Sequence, residues 1–75
     1  MNITEVKSLI EAVIPHAEIA VEGEGCNFTV RVISPHFAGQ SQVQRQRAVM
    51  APFKERILSG ELHALTVKTL TPEER

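Results

Sequence analysis

Tryptophan and tyrosine are missing from this 75-residue chain, and cysteine occurs once. A single cysteine excludes an intramolecular disulfide framework and fits a reducing compartment. Three phenylalanines are present, and no aromatics are interleaved with the basic residues for stacking nucleobases. Neither sign of charge dominates: 8 Lys and Arg stand against 9 Asp and Glu, for a net charge of -1. Composition therefore gives no general attraction to nucleic acid. No apolar run approaches the length that spans a bilayer. The start, Met1-Asn2-Ile3-Thr4-Glu5, lacks the basic-then-apolar order of a signal peptide. The expected location is the cytoplasm. Repeats, linkers and low-complexity segments are absent as well. The Gly-x-x-Gly tetrapeptide that clamps RNA is also missing, since Gly23-Glu24-Gly25 and Gly39-Gln40-Ser41 have the wrong spacing.

What remains is one domain, residues 1–75, with a modest core and no room for a deep, fully walled pocket. Ile3, Val6, Leu9, Ile10, Val13 and Ile14 recur at three- and four-residue spacing, which predicts an amphipathic helix. Asn2 or Thr4 can cap it, and Pro15 ends it. Glu18–Glu22 alternates as a half-buried strand does. Residues 23–27 are turn chemistry, and Phe28–Ser34 is the second strand of a hairpin. Ser41 is the cap of a second helix running towards Leu58. Val43, Val49, Met50, Phe53 and Ile57 fall on one arc with Gln46 at its centre, and Pro52 kinks or splits the helix. Ser59-Gly60 stops it. Leu62–Leu70 is the last strand, and Thr71-Pro72-Glu73-Glu74 begins a short helix. A strand-helix-strand connection favours right-handed parallel pairing. The expected class is α/β (α+β), in the order α-β-β-α(-α)-β-short α. Its three-stranded mixed sheet has the helices on one face.

Two residues carry metal-binding chemistry. His63 stands at the start of the last strand, and Cys26 in the hairpin turn. Read alone, His63 caps a strand end or ligates a metal; Cys26 fills a turn or offers a thiolate. Imidazole with thiolate suits iron–sulfur or zinc chemistry. Two ligands do not complete a structural zinc site. As a nucleophile–base pair they lack an oxyanion site and an orienting acid, so no enzymatic activity is expected. Arg45, Arg47, Lys54 and Arg56 do not form one helical stripe. They read as a solvated face, or alternatively as phosphate contacts.

Three strings carry a resemblance. Val32-Ile33-Ser34-Pro35-His36-Phe37-Ala38-Gly39-Gln40-Ser41 is followed by Gln44-Arg45-Gln46-Arg47. The third runs Leu62-His63-Ala64-Leu65-Thr66-Val67-Lys68-Thr69-Leu70-Thr71-Pro72-Glu73-Glu74. In this order they resemble the BolA family over nearly the whole chain. The resemblance implies a class II KH-like fold and a monothiol glutaredoxin as partner. It also implies a 2Fe–2S cluster that such pairs share, with glutathione and the glutaredoxin cysteine completing the ligands. His63 matches the family histidine, and the second ligand comes from the loop that holds Cys26. Phe37, Gly39 and Ser41, with Arg45 and Arg47 on the next helix, are the expected docking surface. No cofactor is expected on the isolated chain, which is read as a monomer or weak homodimer. The alternative reading is a DNA-binding regulator of stress response and cell morphology, contacting phosphates through Arg45, Arg47, Lys54 and Arg56. The chain departs from the family pattern at Gln46, where a histidine is usual, and at Arg75, where a tryptophan is usual.

Overall fold

The computed structural model describes residues 2–25 and 27–75. Helix α1 spans Ile3–Val13, and the Asn2 side chain caps it by accepting the Glu5 N–H at 2.8 Å. Val6, Ile10 and Ile14, at four-residue steps, are buried, while Ile3 and Val13 at the margins of the stripe are half exposed. The helix ends ahead of Pro15, whose ring cannot continue the ladder.

Strands β1 (Glu18–Glu24) and β2 (Asn27–Ile33) form an antiparallel hairpin in which Ile19 faces Val32 and Val21 faces Val30. Strand β3 (Ala64–Leu70) lies parallel to β2, so the sheet order is β1-β2-β3. Phe28, Val30 and Val32 point inward, as their alternation predicts, and join Val6, Ile10, Val49, Phe53 and Leu62 in one core. Burying each such side chain contributes about 1.5–3 kcal/mol. Helices α1 and α2 (Gln42–Met50) pack on this face; on the other, Ala20, Glu22, Thr29, Arg31, Thr66 and Lys68 are exposed.

Both hairpin strands reach further into the turn than the expected bounds. Gly23 makes this feasible, because it pairs with Phe28 at φ +125°. A Cβ there would strike the Asn27 carbonyl oxygen and come within 2.9 Å of the Phe28 Cα.

Helix α2 spans Gln42–Met50 behind a capping box. The Ser41 hydroxyl accepts the Gln44 N–H, and the Gln44 side chain accepts the Ser41 N–H. Pro52 splits the helical segment as predicted: a 3₁₀ turn, Ala51–Phe53, separates α2 from α3 (Lys54–Ser59). Gly60, at φ +84°, terminates α3.

Three expectations are corrected here. The buried residues of α2 are Arg45 and Val49; Gln46 and Val43 face solvent. An arc drawn from Val43 to Ile57 treats two helices as one, and polar anchors fix the rotation of the first. The Gln42 side-chain oxygen accepts the Thr69 hydroxyl at 3.0 Å, and Arg45 reaches the C-terminal segment. Strand β3 begins at Ala64 rather than Leu62. Leu62 fills the core with no exposure, and its N–H donates to the Arg56 carbonyl at the end of α3. Residues 71–74 form a turn instead of a helix. The Glu74 N–H donates to the Thr71 carbonyl, and the Glu74 carboxylate accepts the Thr71 N–H at 2.7 Å.

Candidate functional site

His63 is exposed and immediately precedes β3. The parallel register sets Ala64 opposite Asn27, so β3 begins beside the turn end of the hairpin. Gly60 and Leu62 hold the approach to it: the Gly60 N–H donates to the Ile57 carbonyl and the Leu62 N–H to the Arg56 carbonyl. The imidazole is thus carried on a short segment anchored to the core on one side and to the ladder on the other. No hydrogen bond or ion pair with a described residue engages its ring. Among the described residues the ring nitrogens thus have no partner, and an exposed imidazole needs only one such nitrogen to ligate a metal. Cys26, the second expected ligand, lies outside the described residues. Among the described residues no three His, Cys, Asp or Glu side chains converge as a metal site. None of their helices is long and apolar enough to cross a membrane.

The expected docking surface divides into an interior and an exterior part. Phe37 is 1% exposed and belongs to the core, so its ring is no docking contact. Arg45 is 5% exposed and is committed internally. Its Nε donates to the Gln40 carbonyl at 3.1 Å, and its Nη1 and Nη2 donate to the two Glu74 carboxylate oxygens at 2.6 and 3.4 Å. The guanidinium also lies 5.8 Å from the centre of the Phe37 ring, a cation–π arrangement. Gly39 and Ser41 are exposed, the latter engaged as the α2 cap, and Arg47 is exposed.

The same facts correct the phosphate-contact set. Arg45 is unavailable, and Arg56 is half buried with its Nη1 donating to the Pro52 carbonyl at 3.2 Å. Only Arg47 and Lys54 of the four stand free on the surface. Periodicity could not reveal this, because arginine is read as a surface residue unless a partner is known. The one signal in the sequence was Glu74, a carboxylate in the tail. Arg45 beside it, with the Thr71 N–H, holds the Glu74 carboxyl below the usual carboxylate range.

The family model of the BolA-like protein matches residues 7–74. An uncharacterized protein in the rpoN-murA intergenic region of Acinetobacter guillouiae is 40% identical over 74 residues, covering 99% of this chain and 89% of that one. The acid stress protein IbaG of Escherichia coli K12 is 32% identical over 74 residues, covering 99% and 88%. The structure of a bolA protein homologue from Coxiella burnetii superimposes with a TM-score of 0.81 at 32% identity, covering 99% and 95%. With the helix-covered three-stranded sheet, the capped loop before α2 and His63 at the mouth of β3, these matches extend over almost every residue. The chain belongs to the BolA family.

Proposed function

We propose that this chain is an adaptor that docks on a monothiol glutaredoxin and shares or transfers a 2Fe–2S cluster, with His63 as its ligand. The observation that carries the reading is the position of His63: exposed, its ring without a partner among the described residues, and mounted on a well-anchored segment at the start of β3. A histidine kept only to cap a strand end would spend its ring on backbone groups. One imidazole leaves most of a cluster's coordination to others, so the role calls for a partner bearing thiolates. Cys26 is the second ligand in this reading, and the partner's cysteine and glutathione complete the set. Histidine in place of thiolate raises the reduction potential of a bound 2Fe–2S cluster. The exposed residues Gly39, Ser41 and Arg47 are offered as docking contacts. Arg45 and Phe37 act beneath them, by holding the loop and α2 in place.

The test is anaerobic reconstitution of the chain with a monothiol glutaredoxin, glutathione, iron and sulfide. Visible absorption and circular dichroism are recorded for wild type, His63→Ala and Cys26→Ala. A heterocomplex spectrum that changes in His63→Ala is the expected result, and a change in Cys26→Ala assigns the second ligand. A complex whose spectrum ignores both substitutions removes the ligand role and leaves docking alone. Absence of any complex overturns the proposal.

A further inference from the structure

The open face of the sheet has a feature unconnected with His63. The register places Arg31 of β2 directly opposite Lys68 of β3, and both side chains are exposed on that face. Like charges directly opposite each other in a sheet are destabilising. Neither cation is in an ion pair among the described residues, whose pairs are Arg45–Glu74 and Arg75–Glu18. The third position of the row is Ala20 on β1, whose methyl group leaves space beside Arg31. The result is a hollow of about 210 Å3 lined by Ala20, Glu22, Thr29, Val30, Arg31 and Lys68.

We propose that this hollow binds a phosphomonoester dianion between Arg31 and Lys68. Two facing cations match a doubly charged oxyanion, and the guanidinium fork suits two of its oxygens. The Thr29 hydroxyl, two residues before Arg31 and therefore on the same face, is a further donor. The hollow has room for a phosphate and a small substituent. An extended polyanion fits poorly, because Glu18, Glu22 and Glu24 line the neighbouring edge strand on the same face. Glu22 on the rim opposes the anion and makes no ion pair with either cation. It therefore sets an electrostatic test of opposite sign.

The experiment is a titration of the whole chain with inorganic phosphate, followed by amide chemical shifts, against sodium chloride at matched ionic strength. Saturable shifts are expected at Ala20, Thr29, Arg31 and Lys68. Arg31→Gln and Lys68→Gln should each weaken binding about fivefold, the scale of one exposed charge pairing. Glu22→Gln should tighten it. Shifts equal to those with chloride overturn the proposal. So do shifts centred on Arg47 and Lys54, or affinities indifferent to all three substitutions. Titration with duplex DNA should leave this row unmoved; a response there to DNA without one to phosphate also overturns it. Thermal unfolding guards against misfolded variants, and Lys68→Gln should be no less stable than wild type.

Discussion

Replacing Arg45 with alanine should unfold the domain more easily, because its side chain is an interior strut. Truncation removes two buried methylenes, worth about 1.6 kcal/mol at about 0.8 kcal/mol each. It removes the stacking on Phe37, about 0.5 kcal/mol. The hydrogen bond to the Gln40 carbonyl contributes about 1 kcal/mol more. The loss is thus about 3 kcal/mol, with the Glu74 pairing left out because that carboxylate is open to solvent. In a domain of this size the loss lowers the melting temperature by on the order of 15 °C. Chemical and thermal unfolding measure it directly. Arg45→Met keeps most of the stem and also removes the cost of burying a guanidinium, so it should cost less than half as much. An Arg45→Ala protein as stable as wild type but unable to bind its partner or DNA would refute the reasoning. It would return Arg45 to the surface role that the sequence suggested.

The Glu74 carboxyl is held below its usual range by Arg45, so its contribution to stability is complete at neutral pH and is lost as pH falls through the lowered value. Acid titration monitored by unfolding should show a smaller decline for Glu74→Gln than for wild type, and equal declines would remove Glu74 as the cause. Gly23→Ala should destabilise by more than about 2 kcal/mol, since both its φ and the Asn27 carbonyl forbid a Cβ, whereas Gly25→Ala, with open space around it, should cost about 1 kcal/mol. Equal melting temperatures for the two variants would contradict this. Leu62→Ala should cost about 2–5 kcal/mol by opening a cavity in the core, and Leu58→Ala, 86% exposed, should stay within about 0.5 kcal/mol of wild type in a denaturant titration.

Elements whose signals are local were legible along the chain. The α1 stripe, the hairpin, the Asn2 and Ser41 caps, the Pro52 break and the Gly60 stop follow from periodicity and from what single residues do to the backbone. The parallel placement of β3 followed from the strand-helix-strand order. The motif string from Leu62 to Glu74 carried the family. Tertiary structure decided which polar residues go inside. Helical projection put Gln46 in the core and Arg45 on the surface, and the fold reversed them. Arg45 has Glu74 and the Gln40 carbonyl to satisfy its donors, whereas Gln46 is exposed to water. Glu74 is 29 residues away in sequence, a pairing no local pattern encodes. The facing of Arg31 and Lys68 is likewise a property of strand register, which sets distant residues side by side only once β3 has docked. Short-range preferences are written along the chain; the desolvation and pairing of charge depend on neighbours that only the folded chain brings together.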